Sequence, residues 1–294
     1  MKTDYEKLLE YERYKNKLRL QPISDKEYEQ KCKAKADELG IGDDNLYYCG
    51  KCHTKKQTIV TMFGKTKVVP CVCECRAAEI KAEDEARKQR EFFNRVMKMR
   101  KVGFPEKAMQ EWTFANDDGS NPKMTKAMKN YVELFPTLRE DGKGLLLFGT
   151  VGTGKTYLAA CVANALISKG IPCLVTNFAR IANEVQGLYE KQQYYDNLNS
   201  FPLLVIDDLS AERKTEYMQE IVFNVIDSRY RAKLPIIVTT NLTREELLNP
   251  ADLTYQRIFS RLFEMCTPIE VSGKDRRQKA LLDDIGKIKD ILGL

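Results

Sequence analysis

The stretch LLLFGTVGTGKTYLAACVANAL, residues 145–166, contains the motif that decides the fold. Four apolar residues at 145–148 predict a buried strand, and the segment GTVGTGKT at 149–156 then opens an apolar helix. This strand, loop and helix are the context of a P-loop, where glycines let backbone N–H groups approach a phosphate. We therefore predict a nucleotide-phosphate site in which Lys155 neutralises charge and Thr156 holds Mg²⁺. The loop residues are Gly149, Thr150, Val151, Gly152, Thr153, Gly154, Lys155 and Thr156.

A second apolar stretch, FPLLVIDDLSAE at 201–212, ends in a pair of carboxylates. In P-loop enzymes such a strand is expected beside the P-loop strand, with its terminal acid directed at the metal. Asp207 is therefore predicted to hold Mg²⁺, and Asp208 to orient and polarise the attacking water. A third strand, LPIIVTTNLT at 234–243, ends in Asn241, which is either a ligand for the γ-phosphate or water, or an ordinary turn residue.

The order of the predicted elements defines the fold class. Strands are predicted near residues 145, 171, 203 and 235, and helical segments separate them. This alternation is typical of an α/β domain, with a parallel sheet, helices on both faces and the P-loop at the carboxyl edge of the sheet.

A cluster of five cysteines flanks a predicted β-hairpin at 58–70. The members are Cys49, Cys52, Cys71, Cys73 and Cys75. The first two form a Cys-x-x-Cys turn, and eighteen residues separate it from the rest, which is close to the spacing of a zinc ribbon. One zinc ion is predicted, held by the first pair and by either Cys73 with Cys75 or Cys71 with Cys73. His53, the only histidine, is predicted to be a polar surface residue.

Composition and charge narrow the class of protein. The chain has 294 residues, nine cysteines and a net charge of +6. The odd cysteine count and the lack of a signal peptide or a long apolar run favour a cytoplasmic protein with no membrane partner. Residues 4–39 predict two helices, and residues 76–101 predict one helix with nine basic and five acidic side chains. The basic, aromatic second half of that helix is suited to a nucleic-acid backbone, but it is equally typical of a linker.

Four motifs together resemble a known family. GTVGTGKT, LLVIDDL, IIVTTNLT and RIFSRLFE occur in the order and spacing of AAA+ ATPases, and within them of the bacterial and phage DnaC/DnaI-type replicative helicase loaders. The resemblance covers about residues 100–280, and the cysteine-bearing region resembles the zinc-containing domains of phage and Gram-positive loaders more loosely.

The resemblance implies an ATP-dependent loader of a replicative DnaB-type helicase, which binds ATP and single-stranded DNA during the initiation of DNA replication. Residues 1–75 would be a helical and zinc-knuckle domain that docks the helicase, and residues 76–103 a charged linker helix. Residues 104–294 would be an AAA+ ATPase domain without a helical lid, because only seventeen residues follow Arg277. Such a protein is expected to use ATP, Mg²⁺ and Zn²⁺.

The resemblance also assigns roles to single residues. Asn241 matches the first sensor, Arg277 the second sensor, and Arg257 the arginine finger that acts on a neighbouring subunit, which implies self-association through the AAA+ domain. Arg261, one turn further along the same helix face, is a second candidate for the finger. Asp208 stands where most AAA+ proteins have Glu, so hydrolysis is expected to be slow and to be stimulated by DNA or a partner.

Two other functions fit the same sequence. One is an IstB-like transposition helper ATPase, a class that lacks a cysteine knuckle of this kind. The other is a zinc-stabilised binding module that uses ATP only as a conformational ligand. Measured ATP turnover separates the binding module from the helicase loader and the transposition helper. Co-purification with a hexameric helicase or with a transposase separates the loader from the helper.

Overall fold

The chain divides into two compact units, residues 1–91 and 92–294. The structure is a computed structural model, and it describes residues 4–42, 44, 46–209, 215–273, 275, 285 and 292. Within these residues, none of the helices combines the length and the apolar character that a membrane crossing requires.

The first unit begins with the two predicted helices, α1 (Asp4–Arg19) and α2 (Asp25–Leu39). Ser24 caps α2, because its hydroxyl accepts a hydrogen bond from the amide of Glu27 at 3.3 Å. Gly40 ends the helix in the left-handed conformation, with φ of 75°. A small apolar cluster packs inside this unit: Tyr11, Ala36, Leu39, Ile41 and Tyr47.

The predicted hairpin is confirmed. Strand β1 (Gln57–Met62) pairs antiparallel with β2 (Lys65–Pro70). A long helix, α3 (Glu74–Gly103), follows it and includes the helix predicted at 76–101. The division between the two units falls within α3.

The second unit alternates strands and helices as predicted. A 3-10 helix, Lys107–Glu111, precedes its regular elements. These are α4 (Pro122–Glu140), β3 (Gly144–Phe148), α5 (Lys155–Ser168), β4 (Cys173–Asn177), α6 (Phe178–Val185), α7 (Lys191–Leu198), β5 (Leu203–Leu209), α8 (Glu216–Arg231), β6 (Ile236–Thr240), α9 (Arg244–Leu248), α10 (Leu253–Met265) and β7 (Cys266–Glu270).

Five parallel strands form the sheet of the second unit, in the order β4-β5-β6-β3-β7. The predicted α/β class with a parallel sheet is confirmed. The expectation that the carboxylate strand β5 lies directly beside the P-loop strand β3 is wrong, because β6 lies between them. Parallel strands are joined by crossovers that pass over a face of the sheet, so chain order does not fix which strands are neighbours.

Two apolar cores cover the two faces of this sheet. Successive residues of β3 alternate between them: Leu145 and Leu147 belong to the core that includes α4 and α5, and Leu146 and Phe148 to the core that includes α8 and α10. Strands β5 and β6 show the same alternation. Helices therefore pack on both faces, as the near-continuous apolar strands predict.

A buried arginine fixes the starts of two strands. Arg229 of α8 is 0% exposed, and its guanidinium donates hydrogen bonds to four main-chain carbonyl oxygens. These belong to Leu198, Phe201, Pro202 and Pro235. The carbonyls stand just before β5 and β6, so this side chain ties together the two strands whose far ends carry Asp207 and Asn241.

Candidate functional site

The P-loop connects the end of β3 to the start of α5. Three of its glycines, Gly149, Gly152 and Gly154, have positive φ angles of 129°, 80° and 92°. A Cβ atom at Gly149 would lie 2.8 Å from the carbonyl oxygen of Val271, and one at Gly152 would lie 1.9 Å from a carboxylate oxygen of Asp275. Glycine is therefore required at 149 by both backbone conformation and space, and at 152 by backbone conformation, because the Asp275 side chain can move away.

The lysine of the loop is buried. The Lys155 ammonium group donates hydrogen bonds to the carbonyl oxygens of Gly149 at 2.8 Å and of Thr150 at 2.7 Å. A third bond within the loop runs from the Thr153 hydroxyl to Thr150, at 3.0 Å. These bonds keep the positive charge against the backbone that is predicted to wrap the phosphates.

A threonine that the sequence reasoning missed connects the Asp207 carboxylate to the backbone of Asp208. The Thr239 hydroxyl donates to Asp207 at 2.7 Å and accepts from the backbone amide of Asp208 at 2.9 Å. The side-chain amide of Asn241 donates to the Asp208 carboxylate at 2.7 Å. Because β6 lies between β5 and β3, its polar residues stand between the carboxylates and the P-loop. Thr239 is two residues before Asn241, and this alternation is the signal that could have identified it.

Asp208 has a strained backbone. Its φ is 56°, and the pairing of β5 with β6 shifts register between Ile206 and Leu209. A non-glycine residue in this conformation costs about 1–3 kcal/mol, and such strain is concentrated at functional sites. Beside this irregularity the two carboxylates have different partners. The Asp207 carboxylate accepts a hydrogen bond from Thr239, and the Asp208 carboxylate accepts one from Asn241.

A cavity of about 280 Å³ brings these groups together. Its lining residues are Trp112, Val151, Gly152, Gly154, Lys155, Thr156, Tyr157, Asp207, Asp208, Thr239 and Asn241. Thr156 and Asp207 are oxygen donors of the kind that Mg²⁺ prefers, and both face the same space. The predicted phosphate, metal and water-polarising groups therefore meet in one place.

Two aromatic side chains line the same cavity and were also missed. The rings of Trp112 and Tyr157 lie 5.9 Å apart at an angle of 44°, and the Tyr157 hydroxyl donates to the carbonyl oxygen of Thr113 at 2.8 Å. Asn164 donates to the carbonyl oxygen of Trp112 at 2.9 Å, which fixes the backbone there. Trp112 is the only tryptophan of the chain, and that is the signal that could have identified it.

The three candidate arginines have different surroundings. Arg261 forms an ion pair with Asp227 at 2.7 Å and lies over the ring of Phe223 at 4.8 Å, so its charge is already engaged. Arg257 is exposed, and no ion pair of its side chain is present among the described residues. Glu264, an acidic residue on the same helix as Arg257, accepts a hydrogen bond from the Tyr230 hydroxyl at 2.6 Å. Arg277 lies outside the described residues.

In the first unit, four of the five clustered cysteines converge. The sulfur atoms of Cys49, Cys52, Cys73 and Cys75 all lie within 4.8 Å of one another. Four sulfurs bonded to zinc at about 2.3 Å lie about 3.8 Å apart, so this cluster fits a tetrahedral site. Cys71 is turned away, and its thiol donates to the carbonyl oxygen of Lys55 at 3.3 Å. The chain leaves β2 at Pro70, and the first turn of α3 then supplies Cys75.

Hydrogen bonds around the cluster shift the pKa values of its thiols. Backbone amides of Cys52 and Lys51 lower the pKa of Cys49, and a hydrogen bond from the Thr54 side chain lowers the pKa of Cys52 to about 5. Hydrogen bonds to the neighbouring sulfurs, first of all that of Cys73, raise the pKa of Cys75 to about 12, because they favour its protonated form. A soft divalent cation replaces all of these protons, so the donor set fits zinc. His53 is exposed beside the cluster.

The matches to known proteins lie mainly in the second unit. The family model described as IstB-like ATP binding protein matches residues 76–283. The chain is similar to the replicative helicase loader DnaI of Bacillus subtilis, with 26% identity over 180 residues, which are 56% of this chain and 58% of that protein. The chain thus spans less than two thirds of the length of this relative.

Two further relatives have names that refer to different things, helicase loading in one and an insertion sequence in the other. The replicative helicase loader DnaC of Escherichia coli K12 is 28% identical over 198 residues, which are 64% of this chain and 74% of that protein. A putative insertion sequence ATP-binding protein of Sinorhizobium fredii is 29% identical over 140 residues, which are 47% of this chain and 45% of that protein.

Proposed function

Because the chain belongs to the IstB-like ATP-binding protein family, we propose that it is an ATP-dependent loader of a replicative DNA helicase. The observation that carries this proposal is its similarity to two proteins named replicative helicase loaders, DnaI and DnaC. The proposed partners are a DnaB-type helicase and single-stranded DNA during replication initiation, and the proposed location is the cytoplasm.

The cavity of the second unit supports ATP binding. The P-loop amides and Lys155 would hold the phosphates, and Thr156 with Asp207 would hold Mg²⁺, which supplies charge neutralisation when bound. Trp112 and Tyr157 offer apolar surface to the nucleobase. Lys155 exchanges its two bonds to loop carbonyls for bonds to phosphate oxygens.

The same cavity supports slow hydrolysis. Asp208 is proposed to polarise the attacking water, and its bond to Asn241 links it to the residue that reports on the γ-phosphate. The shorter side chain of Asp, compared with Glu, limits the rate. Arg257 is proposed to complete the site of a neighbouring copy, which requires self-association, and Arg277 is proposed to act as the second sensor.

The first unit is proposed to dock the helicase. Zinc held by Cys49, Cys52, Cys73 and Cys75 would fix the fold of this unit. In this scheme residues 1–75 hold the partner, residues 76–103 connect the units, and residues 104–294 respond to ATP and DNA.

A transposition helper is the second candidate function. The similarity to a putative insertion sequence ATP-binding protein favours it, and the P-loop site would serve both functions equally. The cysteine cluster lies in residues 49–75, whereas the family match begins at residue 76, so the cluster is an addition to the shared ATPase. A helper of this kind is expected to bind a transposase.

The deciding experiment measures helicase loading. The full chain, the replicative helicase of the same cell and circular single-stranded DNA are mixed with and without ATP, and the helicase that stays with the DNA is quantified. We expect the chain to increase this amount, and to bind the helicase directly. Failure to bind any hexameric helicase, together with capture of a transposase, would establish the second function.

A further inference from the structure

The hairpin of the first unit has an exposed aromatic tip. Met62 and Lys65 close a two-residue turn formed by Phe63 and Gly64, whose φ angles are 52° and 73°. Two positive φ angles define a type I′ turn, whose first position favours Asn, Asp or Gly. The Phe63 side chain is 99% exposed. A bulky residue is thus held in a strained conformation without any packing that offsets the strain.

Lysines lie on only one face of this hairpin. Because side chains alternate along a strand, Val60, Met62, Lys65, Lys67 and Val69 share one face, and together with Phe63 they line a groove of about 620 Å³. The opposite face includes Ile59 and Val68, which are also exposed, and no lysine. The groove therefore combines an apolar floor with two cations and an aromatic edge.

The segment that contains the hairpin carries side-chain charge of a single sign. Residues 46–73 contain five lysines and no Asp or Glu. Lys55 is paired with Asp44 at 2.8 Å, but within the described part of the chain Lys65 and Lys67 have no ion pair. Bound zinc would leave the four thiolates with a net negative charge, but they flank the base of the hairpin, whereas Lys65 lies at its tip. Lys65 and Lys67 remain available to an anionic ligand.

We propose that this lysine face and Phe63 form a binding site for single-stranded nucleic acid. Such sites combine flexible cations for the phosphates with an aromatic ring on which a base stacks. A single strand is required, because the base faces of a duplex are already stacked. A protein partner fits less well, since lysine is depleted in protein–protein interfaces. The cysteine cluster lies at the base of the hairpin, at the end opposite to Phe63.

The test uses the full-length, zinc-loaded chain and a fluorescein-labelled oligothymidylate without nucleotide. Phe63→Asn removes the ring and suits the turn, so it is expected to keep the zinc content and to weaken binding roughly tenfold. Replacing Lys65 and Lys67 with Gln is expected to reduce the slope of log affinity against log salt by about 0.7 per lysine. The matched control, Ile59→Thr with Val68→Thr on the opposite face, is expected to bind like the wild type.

Cross-linking separates this site from DNA binding by the second unit. A bromouracil-substituted oligonucleotide is expected to cross-link to the peptide between Lys56 and Lys65, in the wild type and also in Lys155→Ala. Cross-links confined to residues 92–294, with unchanged affinity of Phe63→Asn, would overturn the proposal. If Phe63→Asn loses a helicase partner but not the oligothymidylate, the hairpin is a protein contact and the proposal is wrong.

Discussion

The two candidate sites of this molecule are built in opposite ways. The nucleotide site takes its side chains from the carboxyl ends of three neighbouring strands, β5, β6 and β3, which two large apolar cores hold in place. The cysteine cluster takes its side chains from turns and a helix start beside a hairpin whose two faces are exposed. A site of the first kind exists before its ligand binds, whereas a site of the second kind depends on its ligand for folding.

The largest expected effect is the loss of zinc. Cys73→Ser removes one of the four convergent sulfurs, and structural zinc contributes about 10–16 kcal/mol in small zinc domains. We expect residues 4–90 to lose their protection against hydrogen exchange, while the second unit keeps its thermal transition. Mass spectrometry measures the zinc content and the hydrogen exchange of each peptide. Calorimetry measures the thermal transition of the second unit.

Cys71→Ser is the matched control for this variant. Its sulfur bonds to a backbone carbonyl outside the cluster, so zinc content and exchange protection are expected to stay at wild-type values. Equal zinc loss in the two variants would show that Cys71 is a ligand. An intact first unit in zinc-free protein would remove the contrast between the two sites.

The next effect concerns ATP. Lys155→Ala is expected to abolish ATP binding, because the loop loses the counter-charge for the phosphates. Asp208→Asn is expected to keep binding and lose turnover, because an amide cannot take up a proton or polarise water. Equilibrium binding of labelled ATP and phosphate release measure the two steps, and zinc content should stay unchanged in both variants. Equal loss of ATP binding in Lys155→Ala and Asp208→Asn would show that the roles of Asp207 and Asp208 are misassigned.

The sequence predicted what local pattern controls. The apolar runs of β3, β5 and β6, the glycines of the P-loop and the hairpin around Gly64 each depend on neighbouring residues, and the structure contains all of them. The comparisons confirm the family that the motifs indicated. The placement of the hairpin between the two cysteine groups is likewise a local property.

The sequence did not predict what long-range packing controls. The insertion of β6 between β5 and β3 brings Thr239 to the Asp207 carboxylate and to the backbone amide of Asp208, and no local pattern specifies that order. The choice between Cys71 and Cys75 depends on how the chain leaves β2, where a simple alternation of side chains ends. Trp112 reaches the cavity from a segment before the P-loop through contacts with α5.

The third prediction concerns whether one chain contains the complete nucleotide site or needs an arginine from a neighbouring copy. Arg257→Ala is expected to bind ATP normally and to lower turnover by roughly 10³, the usual effect of removing an arginine finger. Mixing it with Lys155→Ala is expected to restore part of the turnover, because the second variant supplies Arg257 to the intact P-loop of the first. Phosphate release is measured across protein concentrations, with single-stranded DNA present.

Arg261 supplies the contrast for this prediction. Its ion pair with Asp227 predicts that Arg261→Ala lowers stability more than it lowers turnover. Wild-type turnover by Arg257→Ala at every protein concentration would show that the finger is not Arg257. Arg261 would then be the residue to examine.

The smallest expected effect comes from the aromatic side of the cavity. Trp112 is the only tryptophan, so fluorescence excited selectively at tryptophan reports on this cavity. We expect ATP to change that emission and inorganic triphosphate to leave it nearly unchanged, because only ATP carries a base to meet the ring. Trp112→Ala is expected to weaken ATP binding roughly tenfold without changing turnover at saturation, and Trp112→Phe to restore most of the affinity. Since the cores of the second unit place Trp112 independently of zinc, the ATP response should persist in Cys73→Ser. An emission change with triphosphate as large as that with ATP would instead show that Trp112 responds to closure of the P-loop, and that the base lies elsewhere.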